Sequence, residues 1–208
     1  MSKSYPIDSF HRHVETDMPI KIKALSATLL LALANHTVSL ATEAGTNRSL
    51  TPAQTAVRVH QDPNVLFVDV RDPIEIMFTG SATAVHVNIP FMFADKNTWD
   101  EKNGRFAMTR NPKFIDEVKS ALEARGLDFT ATIITICRSG SERGMPSAQY
   151  LFDSGYENAY YVDHGFQGDA LKEGPQKGLR LLNGWQNSGL PWSSKLNPDS
   201  IYRPATKR

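Results

Sequence analysis

From residue 51 onward the apolar positions change period repeatedly, and each change marks an element. Thr51-Pro52-Ala53-Gln54 predicts a helix start, with Thr51 as N-cap, Pro52 in the first helical position and Gln54 completing a capping box. That helix should run to about Gln61, and Asp62-Pro63-Asn64 reads as a turn. Residues 65-VLFVDV-70 form a continuous apolar run with one Asp, the pattern of a strand buried on both faces. Arg71-Asp72-Pro73 opens a short helix through Met77, ended by Gly80, and 85-VHVNIP-90 alternates like a strand.

Residues 91–111 show no period and read as a long irregular loop, a class often tied to function. Next, 112-PKFIDEVKSALEAR-125 places Phe114, Ile115, Val118, Ala121 and Leu122 on one helical face, and Gly126 suits C′. A strand over 131–136, a helix over 145–154 and a strand over 159–164 follow, and the segment from Gly174 reads as irregular. Strands alternating with helices imply an α/β fold with a central parallel sheet flanked by helices. Ligands of such sheets sit at the carboxyl ends of strands.

Composition narrows the function. The 208 residues are 40% hydrophobic and 22% charged, ordinary for a globular domain with a tail. A formal net charge of +1 offers no basic footprint, so a nucleic-acid partner is not expected. The six histidines show no metal-ligating spacing beyond His11-x-His13 in a polar tail, and neither a metal nor an organic cofactor is expected. The single cysteine excludes an internal disulfide.

That cysteine, Cys137, stands at the end of the 131–136 strand and before the next helix, in Cys137-Arg138-Ser139-Gly140-Ser141-Glu142-Arg143. A thiol acts as a nucleophile only as thiolate. The coming helix N-terminus, the inward N–H groups allowed by Gly140 and small Ser139 and Ser141, and the charges of Arg138 and Arg143 all favour an anion there. Most free cysteines are packing residues, but two arginines, two serines and a glycine are poor packing material.

Residues 66-LFVDVRDPIE-75, 136-ICRSGSERG-144 and 160-YYVDHGFQG-168 together resemble the rhodanese-like sulfurtransferases over roughly residues 50–170. The tail 183-NGWQNSGLPW-192 resembles the end of some bacterial single-domain members. The resemblance implies a rhodanese-like three-layer fold with Cys137 as the catalytic residue. It implies that Cys137 takes the outer sulfur of a small sulfur-containing anion such as thiosulfate and passes it to a thiol, cyanide or a protein acceptor. It also implies that residues 138–143 bind the persulfide and that Asp69 and Arg71 are structural. The loop has seven residues where the usual sulfurtransferase loop has six. Its C-x5-R spacing resembles the rhodanese-fold dual-specificity phosphatases of the cell cycle and related arsenate reductases. Those proteins carry His before the cysteine, where this chain has Ile136, and Glu142 is the one candidate general acid. A low-turnover sulfur carrier or sensor is a third reading. Phe91, Phe93, Trp99 and Phe106 of the long loop would then serve as docking surface, lid or simple anchors to the core.

The N-terminus reads separately. Residues 24-ALSATLLLALA-34 match the apolar core of a secretory signal, preceded by Lys21 and Lys23 and followed by a cleavage box ending at Ala41. Asp8, Glu15 and Asp17 do not suit a signal, and a start at Met18 removes them. The expected organisation is an N-terminal extension over 1–41, a rhodanese-like domain over 48–194 and a C-terminal tail over 195–208. It implies a periplasmic or secreted protein without stable membrane insertion after cleavage. If the segment is instead a helix packed on the domain, the protein is cytoplasmic.

Overall fold

The computed structural model describes residues 48–204. The expected signal, its cleavage site, the Met18 start and His11-x-His13 lie outside them. In chain order the elements are β1 (Ser49–Leu50), α1 (Pro52–Gln61), β2 (Val65–Asp69), α2 (Pro73–Thr79), β3 (Ser81–Ala82), β4 (Val87–Asn88), β5 (Met92–Asp100) and β6 (Arg105–Arg110). There follow α3 (Phe114–Ala124), β7 (Thr132–Ile136), α4 (Gly144–Asp153), β8 (Ala159–Val162), α5 (Gly184–Asn187) and β9 (Trp192–Ser193).

Five strands make one parallel sheet in the order β1-β8-β7-β2-β4. The central pair β2 and β7 is completely buried, which explains continuous apolar runs instead of alternation. Alternation survives in the direction of the side chains. Leu66, Val68 and Ile133 meet Phe114, Val118 and Leu122 of α3 and Leu151 of α4 in one core. Val65, Phe67, Ile134 and Ile136 meet Trp185 of α5 and Phe166 in the other, with Ala56 and Val59 of α1 alongside. The sheet is therefore covered on both faces, as its parallel topology requires.

The capping box of α1 forms as read: Gln54 N–H donates to Thr51 Oγ1 at 3.2 Å, and Thr51 N–H to Gln54 Oε1 at 2.9 Å. Residues 91–111 are not an irregular loop. They form an antiparallel hairpin, β5–β6, with a register shift between Asp95 and Trp99 and Gly104 in the left-handed region. Most of its side chains face solvent, so neither face has an apolar set to impose a period of two. The 85–90 run pairs only at Val87–Asn88, and the 159–164 strand ends at Val162, where His164 turns at φ 58°. The segment after Gly174 is more ordered than its sequence suggests, with α5 packed into the core and β9 paired to β3. Beyond residue 194 the chain returns to the sheet edge. Asn88 N–H donates to Ser200 O at 2.7 Å, and Tyr202 N–H to Asn88 Oδ1 at 3.2 Å.

Candidate functional site

Strand β7 delivers Cys137 to the carboxyl edge of the sheet, where its side chain is buried. A Cβ placed on Gly144, the first residue of α4, would lie 3.4 Å from Cys137 Sγ, so the sulfur rests on the helix N-terminus. That helix start is held rigidly. Met145 N–H donates to Gly140 O at 2.8 Å, while Thr135 and Ser147 hydroxyls both donate to Gly144 O, at 3.0 and 2.8 Å. Among the described residues, the backbone N–H groups of 138–143 have no protein acceptor. Together with the helix dipole they form a concavity suited to an anion.

Two glycines make the loop possible. Gly140 has φ +83°, and a Cβ there would sit 2.9 Å from Val162 O and 3.0 Å from His164 N. Gly165 has φ +57°, and its Cβ would sit 2.3 Å from Cys137 O. This close approach lets Phe166 N–H donate to Cys137 O (2.7 Å) and Gln167 N–H to Arg138 O (2.9 Å). The chain after β8 thereby zips onto the cysteine loop.

The surrounding charges are largely paired. Arg71, with no exposed surface, binds Asp69 through Nε (2.9 and 3.2 Å) and Nη2 (2.6 Å). It also donates to Thr79 Oγ1 and Gly80 O. Arg143, buried, presents Nη1 and Nη2 end-on to Glu75 at 2.6 and 3.1 Å, and among the described residues its Nε has no partner. Burial alone would lower the Arg143 guanidinium. The Glu75 bonds and charge, with Cys137 and Asp69 adding to the attraction, outweigh burial and hold it above its ordinary value. Glu142 points away from the thiol to Arg105 of the hairpin, at 2.9 Å. Arg138 is exposed and gives its Nε–H to Gln167 at 2.9 Å.

The hairpin forms a wall beside this loop. Its inner end is pinned by Arg110, whose guanidinium lies 4.4 Å from the Phe91 ring centre and 3.9 Å from that of Tyr150. A cavity of about 580 Å³ separates wall from loop, with Met92, Phe106 and Met108 on one side and Arg138, Ser139 and Arg143 on the other. The hairpin aromatics divide by role. Phe91 is core, edge-on to Phe114 at 5.0 Å, and Phe93 contacts Tyr202, whereas Trp99 and Phe106 pair edge-on at the exposed end.

The structure thus gathers Cys137, the loop 138–143, Asp69 and Arg71 at one sheet edge, with Glu142 turned outward. Sequence reasoning missed Glu75, Gly165, Arg105, Gln167 and Arg180. Glu75 had a signal, lying in the first turn of α2 four residues after Arg71. The others are brought in by the hairpin and by the turn after β8. Among the described residues, no cluster of His, Cys, Asp and Glu is arranged to hold a metal ion, and no helix is long and apolar enough to cross a membrane.

A buried cysteine under an N–H-lined seven-residue loop, on a five-stranded parallel sheet with helices on both faces, defines a rhodanese-type architecture. The family model for the rhodanese-like domain matches residues 51–171, and the chain belongs to that family. The crystal structure of Rv0390 from M. tuberculosis is similar, with TM-score 0.53 and 26% identity over 71% of this chain and 97% of that one. A rhodanese-related protein of Thermoplasma volcanium also aligns, with TM-score 0.40 and 19% identity over 71% of this chain and 99% of that one. No curated protein matches the chain significantly.

Proposed function

We propose that the protein is a sulfurtransferase working through a Cys137 persulfide. The Cys137 thiolate attacks the outer sulfur of a donor such as thiosulfate; the new S–S bond forms as the donor S–S bond breaks, and sulfite leaves with the bonding pair. The persulfide keeps one negative charge, held by the N–H groups of 138–143 and the α4 N-terminus. A nucleophilic acceptor then takes the outer sulfur and releases Cys137 as thiolate. Two half-reactions of this kind give ping-pong kinetics.

The observation that carries this reading is the charge state of the floor. Arg143, close enough to feel Cys137, is neutralised end-on by Glu75, and Glu142 is bonded to Arg105, so the charge left for the sulfur is the partial charge of the helix terminus and of the unpaired N–H groups of 138–143. Such a floor suits a monoanion. In thiosulfate the attacked atom is the outer sulfur, and the sulfonate stays outside, toward Arg138. In phosphate or arsenate chemistry the oxygens surround the attacked atom and must enter the floor. A second reading, a C-x5-R phosphatase or arsenate reductase, is favoured by the buried, unpartnered Arg143 Nε and the loop length.

Incubation with thiosulfate and measurement of intact mass separates them. Sulfur transfer expects a gain of one sulfur that cyanide removes and that Cys137→Ser lacks. No adduct, with hydrolysis of an aryl phosphate, establishes the second reading. An adduct that no acceptor discharges indicates a sulfur carrier.

A further inference from the structure

Residues 169–183 form a closed loop whose outer side is built of leucines and cations. Its base is tight. A Cβ on Gly168 (φ +81°) would lie 2.1 Å from Asn183 O, and one on Gly184 (φ +84°) 2.4 Å from Gly168 N. Asp169 N–H donates to Asn183 Oδ1 at 2.8 Å, and Asn183 Nδ2 donates back to Asp169 Oδ2 at 3.0 Å. Above the base, Leu171 N–H donates to Leu179 O at 2.8 Å and Gly178 N–H to Leu171 O at 2.9 Å. Close ends and internal bonds mark an Ω-loop, a class frequently functional. Its leucines do not pack inward: Leu179, Leu181 and Leu182 are 52%, 50% and 62% exposed. Arg180 borders a hollow on each flank, one of about 810 Å³ with Leu182 and one of about 570 Å³ with Leu179 and Leu181, so the loop stands as a ridge. The second hollow is also lined by Trp192, 40% exposed, and by Arg138, the residue after Cys137. The Trp192 ring lies 3.0 Å from where a Cβ on Gly80 would sit, which carries the apolar strip toward Phe78, 80% exposed. Lys172, Lys177 and Arg180 stand on the same loop, and among the described residues none has a carboxylate within ion-pair distance. Of the two carboxylates of the loop, Asp169 is held at the base by His164 Nδ1 at 2.8 Å and by Asn183, which leaves Glu173 against three cations. Singly scattered exposed leucines are ordinary, but a contiguous apolar crest edged by cations marks an interaction surface.

We propose that this ridge docks the protein on a bilayer carrying anionic lipid. The leucines enter the boundary of the acyl chains, Trp192 lies at headgroup level, and Lys172, Lys177 and Arg180 meet the lipid phosphates. The contact is peripheral and spans nothing. Shape favours lipid over a protein partner. An ordinary protein partner needs about 800 Å² of matched surface on each side. A crest between two hollows offers no such continuous face, whereas fluid lipid closes around it. The tight base also suits insertion, since a loop already fixed loses little freedom on binding. Docking turns the hollow that holds Arg138 toward the bilayer, so the cysteine loop works at the membrane surface. The proposal stands apart from the sulfurtransferase reading and does not need it.

The test mixes the full chain with vesicles whose acyl chains are brominated and follows tryptophan emission. One set is phosphatidylcholine alone, and the other is three parts phosphatidylcholine to one part phosphatidylglycerol. Bromine quenches at short range, so the component that Trp192→Phe lacks reports this face alone, whichever other part of the chain meets lipid. The anionic vesicles are expected to quench that component, and high KCl to weaken the effect by screening. The combined variant Leu179→Ser, Leu181→Ser, Leu182→Ser should lose it, with urea unfolding unchanged because all three side chains are exposed. Lys172→Gln with Lys177→Gln should raise the lipid concentration for half-maximal quenching by about tenfold or more, at the usual contribution of a cation near an anionic surface. Quenching that Trp192→Phe retains in full comes from another face, such as Trp99 on the hairpin, and overturns the proposal. Equal quenching by neutral and anionic vesicles overturns the anionic-lipid assignment. Absence of quenching, with a dimer in sedimentation that the leucine variant dissolves, gives the ridge to a second copy of the chain and overturns the proposal as well.

Discussion

Asp69→Asn isolates what the buried ion pair contributes. The substitution keeps the shape of the side chain but removes its charge and one acceptor oxygen. Arg71 stays without exposed surface, its Nε and Nη2 now facing one carbonyl oxygen and one amide that cannot accept. The Arg71 N–H bond to Asp69 Oδ1 (3.1 Å) also competes for that oxygen. Breaking a buried pair from one side costs about 3–5 kcal/mol, because the remaining charge has neither water nor partner. Set against a total of about 5–15 kcal/mol, this is a large fraction. At about 2–4 °C per kcal/mol for a domain of this size it lowers Tm by roughly 6–20 °C. Urea unfolding followed by tryptophan fluorescence measures it, with Trp185 packed 5.5 Å from Phe67 as an internal reporter. The double variant Asp69→Leu, Arg71→Met removes both charges and should recover most of the loss. A loss below about 1 kcal/mol in Asp69→Asn would refute the reasoning, since the pair would then be effectively solvated. Restored stability without restored sulfur uptake would assign Asp69 or Arg71 a chemical part beyond support.

Three further outcomes follow from the same geometry. Gly140→Ala should lose sulfur uptake and about 2–3 kcal/mol of stability, combining a left-handed φ with contacts of 2.9–3.0 Å to Val162 O and His164 N; full uptake by mass would contradict the loop geometry. His86 accepts from Phe67 N–H through Nδ1 at 3.1 Å, and burial, then the charge of Arg125, lower its pKa from 6.5 to about 4. It is neutral in the fold, so its contribution is complete above pH 6.5 and is lost as pH falls through about 4. For a half-exposed ring this is on the order of 1–2 kcal/mol after solvent screening. It should vanish from the pH–stability profile of His86→Asn, whose Oδ1 keeps the acceptor. Thr51→Ala should cost about 1 kcal/mol by urea unfolding, the value of the α1 N-cap, with sulfur uptake unchanged.

Short-range rules were enough for much of this protein. The capping box at Thr51, the buried runs of β2 and β7, the apolar face of α3 and the parallel α/β arrangement follow from spacing, because their physics lies within a few residues or one element. The placement of Cys137 between a buried strand and a helix is of the same kind, whereas the requirement for glycine at residue 140 comes partly from Val162 O and His164 N, more than twenty residues away. The hairpin over Met92–Arg110 was not legible, because a two-stranded ribbon with most side chains in solvent leaves no apolar period. Packing of α5 and pairing of β9 with β3 were hidden for a related reason, since each depends on partners about a hundred residues away. What tertiary structure alone decided is the electrostatics of the site. Charged side chains look equivalent along a sequence, and their meaning comes from what they face. Arg143 meets Glu75 across 68 residues and Glu142 meets Arg105 across 37, while Arg138 and Arg180 have no carboxylate within ion-pair distance among the described residues. The neutral floor and cationic mouth are properties of the packed chain, because Coulomb energy depends on distance in space and on burial, not on separation along the chain.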